Sequence, residues 1–415
     1  MFNTLEKSSS VLWSTEPSRR IVVEPTASAE KIHSRQGEVE LAMTAQRNWI
    51  VLCVVALTLL LAGCGGGLTT EVPEAAKEHV WTRPALATDA AGNQAELPYT
   101  SVDSGAGSEV RICVLFPHLK DPYWVGLAYG TWVEAQRTGA SYDLYAADGY
   151  GDLPRQIDQA KDCINSGRYD ALVIGAISGD GTCDTIRQAL QKKMVVIDSV
   201  NGMACGEEVT SDPRYARTLV SYYVLGQTAA RYIAGLDQEL DLLALTGPQG
   251  VPWSDSLLAG LKNGLEGSKA KVVAAPRGDM DATVQLALAG DALSADRSID
   301  AVFGTSVTMS AGISAVHNSG RKDIRLFNGA LDGDSYKGIA DGQIAVGASD
   351  LGPIIARMAI DTAVRLVTQP GGVAYRTIGP KPILVDSDTI HNVAREDILS
   401  PPGFKPVLNF DSKKK

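Results

Sequence analysis

The stretch that decides the fold is Arg111–Ala146, RICVLFPHLKDPYWVGLAYGTWVEAQRTGASYDLYA. Arg111–Phe116 is a short apolar run, Trp124–Gln136 has apolar residues recurring at three and four, and Tyr142–Ala146 is strand-like again. A strand buried on both faces, a helix and a second such strand form the repeating unit of a parallel sheet covered by helices. The pattern continues with strand candidates Ala171–Gly175, Met194–Asp198, Leu240–Leu245, Lys271–Ala275, Ala301–Gly304, Ile324–Phe327 and Ile344–Ala348. Helical segments lie between them, among them Pro154–Asn165, Asp184–Lys192, Leu219–Leu236, Asp255–Leu265, Ala282–Ala292, Met309–Ser319 and Pro353–Thr368. So many alternations exceed one compact sheet. They predict an α/β protein of two doubly wound parallel-sheet lobes joined by a multi-strand hinge. The expected division is 109–211 plus 328–349 for the N-terminal lobe and 212–327 plus 350–378 for the C-terminal lobe.

Composition narrows the function. The 415 residues are 45% hydrophobic and 21% charged, ordinary for a folded body. A net charge of −10 argues against nucleic acid, because neutralising phosphates needs a basic face. P-loop, HExxH, CxxC and GxSxG motifs are all absent, and no two of the five His stand at a metal-ligand spacing. Neither a cofactor nor a metal is expected. An enzyme that uses the sheet for a nucleotide needs a glycine-rich loop after the first strand, and Pro117-His118-Leu119-Lys120 is not one.

Ahead of this body, Trp49–Ala62 (WIVLCVVALTLLLA) is an apolar run of 14 residues between Arg47 and Gly63-Cys64. It is shorter than the ~20 residues of a bilayer span. Its basic, apolar, small-residue order is that of an export signal. The small pair before Cys64 resembles the lipobox of bacterial lipoproteins, which implies acylation of Cys64 (palmitate) and a periplasmic protein anchored to the membrane by lipid. Gly65 after that Cys favours the outer membrane by the same resemblance. A buried helix ending in Gly-Cys is the alternative. Residues 43–63 are therefore read as the signal, 1–42 as a start-site extension or a disordered prefix, and 64–108 as a tether or linker.

Ligands of open parallel sheets bind beyond the carboxyl ends of the strands, so the strand exits matter most. The first is followed by His118-Leu119-Lys120-Asp121-Pro122-Tyr123-Trp124 and the second by Asp148-Gly149-Tyr150. The strand Leu240–Leu245 is followed by Gly247–Trp253, Ala301–Gly304 by Thr305-Ser306, and the last strand by Asp350. Only 6% of the chain is aromatic, yet Tyr123, Trp124, Tyr150 and Trp253 all fall at such exits.

These residues carry a resemblance. Cys113–Trp124 (CVLFPHLKDPYW), Gly149-Tyr150 with Arg155-Gln156, Ala348-Ser349-Asp350, and the tail residues Asp388-Thr389-Ile390 and Ile398–Pro401 resemble the type I periplasmic binding proteins. Within that family the likeness is to the sensors of trimethylamine N-oxide that work with an inner-membrane histidine kinase. The resemblance implies a ligand in an aromatic cage beside an acidic residue, with Asp121, Tyr123, Trp124, Tyr150, Tyr222 and Asp350 at the matching positions. Tyr222 stands where the family has Trp. Ala330 stands where it has Tyr, a gap for Trp253 of the opposing lobe to fill. Ring faces attract a methylated nitrogen by about 0.5–2 kcal/mol per contact. A buried carboxylate such as Asp121 or Asp350 balances its charge or accepts from a hydroxyl. Ser199 follows Asp198 where ribose binders commonly place Arg, and Ala330 replaces their sugar-binding Asp; both departures lower a sugar reading. The resemblance implies a non-catalytic sensor that closes on trimethylamine N-oxide or a related methylated amine and signals to the kinase sensor domain. A sugar-binding subunit delivering to an ABC permease is the alternative. The tail 379–415 is expected to wrap the hinge side.

Plainer readings exist for several residues. Tyr123 and Trp124 suit the cap of a hydrophobic core, Tyr222 core packing, Trp253 an exposed loop and Asp350 a helix N-cap. Of the cysteines in the folded body, Cys113 and Cys163 read as core thiols. Cys183 and Cys205 flank the Met194–Asp198 strand and are expected to form a disulfide in an oxidising compartment.

Overall fold

Alternate residues of the first apolar run feed two different cores, which is why that run is unbroken. Ile112, Val114 and Phe116 pack with Trp124 and Leu127 on one face, and Cys113 and Leu115 with Leu172 and Ile186 on the other. The structure is a computed structural model that describes residues 73–89, 93–373 and 375–414. The apolar run before Cys64, Cys64 itself and residues 1–42 lie outside the described residues.

In chain order, the described part opens with a short helix α1 (Glu74–Lys77) and a hairpin of β1 (Thr82–Thr88) and β2 (Gln94–Thr100). The first lobe continues with β3 (Arg111–Phe116), α2 (Pro122–Thr138), β4 (Ser141–Ala146), α3 (Leu153–Ser166) and β5 (Ala171–Ile174). It then adds α4 (Cys183–Gln191), β6 (Val195–Ser199), α5 (Glu207–Thr210) and β7 (Tyr215–Thr218). The second lobe comprises α6 (Tyr222–Gly235), β8 (Leu240–Leu245), α7 (Pro252–Leu265), β9 (Ala270–Ala274) and α8 (Ala282–Ala295). It is completed by β10 (Ala301–Gly304), α9 (Val307–Ser319), β11 (Arg325–Asn328), α10 (Gly333–Ala340) and β12 (Val346–Ser349). The chain closes with α11 (Gly352–Thr368), β13 (Thr377–Pro380), β14 (Ile383–Val385), α12 (Arg395–Ile398) and β15 (Asn409–Phe410).

The strands form a nine-stranded sheet, β15-β4-β3-β5-β6-β7-β13-β1-β2, and a six-stranded sheet, β14-β12-β11-β10-β8-β9. Both are parallel at their centres and carry antiparallel strands at their edges. The order reverses on either side of β3 in one sheet and of β8 in the other. Those reversals are where an open parallel sheet leaves a crevice.

Three expectations from the sequence are corrected by the pairing. Residues 328–349, assigned to the N-terminal lobe, belong to the second: β11 and β12 pair with one another and β11 with β10. The segment 350–378, assigned to the C-terminal lobe, lies on the first. Ile355, Ala356, Ala359 and Ile360 of α11 join the core of β3 and β4, and β13 pairs with β7. The chain therefore recrosses at 350–351, one strand later than periodicity placed it. Residues 64–108 are not all tether, because the β1–β2 hairpin extends the first sheet through β13. The tail beyond 379 touches both sheets, β14 at the edge of the second and β15 beside β4 at the far edge of the first.

The cysteines are paired. Cys183 is joined to Cys205. Cys113 and Cys163, expected as core thiols, are joined to each other across the β3–α3 contact. Free cysteine packs like a small hydrophobe, so burial alone does not separate the two states.

Candidate ligand site between the two sheets

The first wall of the site is built by the turn after β3. Asp121 is the N-cap of α2, and its carboxylate accepts from the backbone N–H of Trp124 at 2.9 Å. This cap and Pro122 start the helix so that Tyr123 and Trp124 leave its first turn together. The Trp124 ring lies 4.9 Å from Phe116 and, edge on, 5.8 Å from Tyr123. It reaches over the end of β5, where a Cβ on Gly175 would stand 2.5 Å from the ring. The second wall follows β8. Gly247 turns the chain at φ +97 and leaves room for Trp253, whose ring would be 2.9 Å from a Cβ there.

The two walls meet around one carboxylate. The Tyr123 hydroxyl, from the first lobe, donates to Asp350 Oδ2 at 2.7 Å. The Tyr222 hydroxyl, from the second, reaches the same oxygen at 3.4 Å and Tyr123 at 3.2 Å. Tyr222 stands 5.7 Å from Trp253, ring to ring. Tyr150, after β4, faces His118 at 5.7 Å and shares a hydrogen bond with Asn201. Asp121, Tyr123, Trp124, Tyr150, Tyr222 and Trp253 thus line one cavity with Asn201, Met280, Thr305, Ser306 and Ala330. Asp350 stands behind its wall and holds two of the rings. It is not the N-cap of α11, which is Leu351.

The cavity is poor in charge. Among the described residues that line the cavity, none is Lys or Arg. Burial raises the Asp350 carboxyl against the two tyrosyl donors. It also raises Asp121, opposed by His118 at 3.7 Å and by the Trp124 N–H. Burial raises Asp332, the N-cap of α10, as well, and keeps His118 below its ordinary range. Among the described residues no group of three or more His, Cys, Asp and Glu is placed to hold a metal.

Three of the five described non-glycine residues with positive φ stand at or beside this site. Val200, next to Asn201, has φ 71, Ser306 has φ 44, and Leu351, next to Asp350, has φ 58. Each is uncommon for a residue with a side chain, and a β-branched residue there is a marked outlier. Strain of this kind concentrates at ligand clamps. Asn201 and Met280 were not picked out from the sequence. Asn201 lies past the β6 exit and was legible by that rule; Met280 has no such signal.

Comparison with known proteins places this architecture. Residues 112–371 match the family model described as periplasmic binding protein domain. The periplasmic protein TorT of Escherichia coli K12 is 28% identical over 308 residues, covering 72% of this chain and 84% of TorT. An ABC transporter solute binding protein of Bradyrhizobium sp. BTAi1, solved with bound Bis-Tris, is 35% identical with a TM-score of 0.70. That match covers 79% of this chain and 98% of the relative. The TorS sensor domain–TorT complex solved in the presence of TMAO gives 22% identity and a TM-score of 0.65, covering 72% of this chain and 99% of the matched one. With residues 112–371 matched, this chain belongs to the periplasmic binding protein family.

Proposed function

We propose that this chain is a lipid-anchored periplasmic sensor whose lobes close on a small methylated amine, trimethylamine N-oxide first among them. It carries out no reaction and reports ligand to the sensor domain of a membrane histidine kinase. The observation that carries this reading is the cavity itself. Three aromatic side chains from the first lobe, Tyr123, Trp124 and Tyr150, and two from the second, Tyr222 and Trp253, surround a space without a basic side chain. The empty space inside this lining, open solvent included, is about 470 Å³. Cation–π attraction supplies about 0.5–2 kcal/mol for each well-placed ring.

TorT, the relative solved with the TorS sensor domain and TMAO, supports both the ligand class and the kinase partner. The lipid anchor rests on the sequence around Cys64 alone. A second reading is the sugar-binding subunit of an ABC importer, whose transport half is favoured by the Bradyrhizobium relative's description as an ABC transporter solute binding protein. Thermal-shift screening of the full chain against methylated amines and monosaccharides separates the two. Stabilisation by trimethylamine N-oxide and not by pentoses or hexoses is expected; the reverse pattern would replace the sensor reading with the importer.

A further inference from the structure

The two walls of the cavity differ in their hydrogen bonding. On the first lobe the polar groups that face the cavity are already partnered. Tyr123 donates to Asp350, Asp121 accepts from Trp124, and Asn201 donates to the Ala176 carbonyl at 2.8 Å and to Tyr150. On the second lobe Tyr222 is partnered by Tyr123 and Asp350, but the groups at the strand exits are not. Among the described residues, Trp253 Nε1 and Thr305 Oγ1 are buried without a hydrogen-bond partner, and both residues line the cavity. Thr246 Oγ1 and Asn328 Nδ2, at the carboxyl ends of β8 and β11, are likewise buried and unpartnered. An indole nitrogen and an amide nitrogen can only donate, and a hydroxyl can do so. Buried donors left without an acceptor are costly, so their gathering at one sheet edge marks a place built to receive one.

From this asymmetry we infer that Trp253 and Thr305 select ligands carrying an oxygen acceptor on one side of the methylated nitrogen, an amine oxide or similar dipole, and reject the bare ammonium. This rests on the methylated-amine reading and deepens it. The methyl groups face the rings of Tyr123, Trp124 and Tyr150, and the oxygen takes the indole N–H of Trp253 and the hydroxyl of Thr305. A site arranged to hydrogen-bond a ligand group rejects the analogue lacking it far more strongly than an apolar pocket rejects a change of size.

Trimethylamine N-oxide and tetramethylammonium differ by one oxygen in place of one methyl and are nearly the same shape. Calorimetric titration of the full chain with each should show the oxide binding tighter by at least about tenfold. The double variant Trp253→Phe, Thr305→Val should bring the two affinities to within about twofold. Thr305→Val alone, which keeps the side-chain shape, should give an intermediate ratio and stands in if the double variant does not fold. Equal binding of the two probes by the unaltered chain overturns the inference and leaves the methylated-amine reading intact, as does a ratio unchanged in the variants. Binding of neither probe overturns both.

Discussion

Gly175 holds open the space that the Trp124 ring fills, and that one missing methyl governs where the cage wall stands. A Cβ there would lie 2.5 Å from the ring. Gly175→Ala should therefore push the indole into the cavity, weaken ligand binding by about tenfold and cost about 1–3 kcal/mol of stability by overpacking. Titration and urea denaturation check the two effects, and unchanged affinity would mean the ring has another place to go. Asp350 makes a prediction about pH. Burial holds its carboxyl above the ordinary aspartate range. A carboxyl raised in the folded state contributes stability that is present below its unfolded pKa and lost as pH rises through the folded value. The stability of the native chain relative to Asp350→Asn should then fall as pH is raised from about 4 toward neutrality. Denaturation of both proteins at several pH values measures this. A difference that grows with pH would show the carboxylate stabilised in its charged form.

At the scale of elements, a buried ionic cluster ties the N-terminal hairpin to the two helices that begin at the site. Glu134 of α2 receives the Trp81 indole N–H at 3.0 Å, Arg137 at 2.8 Å and Arg357 of α11 at 2.9 Å. Asp361 of α11 accepts from the Val102 N–H at 2.7 Å and meets Arg137 at 3.3 Å. Glu134→Ala leaves two buried guanidinium groups short of a partner and should cost about 3–5 kcal/mol in urea denaturation; a loss below 1 kcal/mol would show that water enters the cluster. The disulfides are checked by peptide mapping without reduction, which should recover Cys113 with Cys163 and Cys183 with Cys205. Free thiols at Cys113 and Cys163 would return them to the core role that their apolar setting suggested.

The limits of sequence reading show at this scale too. The parallel strands β3 to β6 and β8 to β12 were legible because strands buried on both faces leave unbroken apolar runs; β7 and β13, also parallel, were not, because YART and TIGP are short and interrupted by polar residues, Gly and Pro. The β1–β2 hairpin was not, because Pro84 and Pro98 interrupt its pattern and its partner β13 lies far along the chain. The lobe boundary slipped by one strand because periodicity marks a strand without naming its neighbour. In the sequence Trp253 suits an exposed loop and Tyr222 a packed core equally well, and only the folded chain puts their rings side by side.

For the whole molecule, the geometry links the site to the hinge. The chain passes between the two sheets after β7, after β12, after β13 and again after β14. Asp350 lies in the second of these passages, bonded by Tyr123 from one lobe and approached by Tyr222 from the other. A ligand that touches both walls stabilises the arrangement in which these groups meet, and shifts the balance of lobe positions only by as much as it prefers that state. At a hundred times its Kd, such a ligand adds about 2.7 kcal/mol to the stability of the folded chain. Everything depends on the rings of the two lobes acting as one cage. Isothermal titration of trimethylamine N-oxide into the full chain and into Trp124→Leu, which keeps apolar bulk but removes the ring, tests this most directly. Saturable binding of one ligand per chain is expected, lost in the variant while its melting temperature stays within a few degrees. Binding that survives loss of the Trp124 ring, or no binding by the unaltered chain, would contradict it.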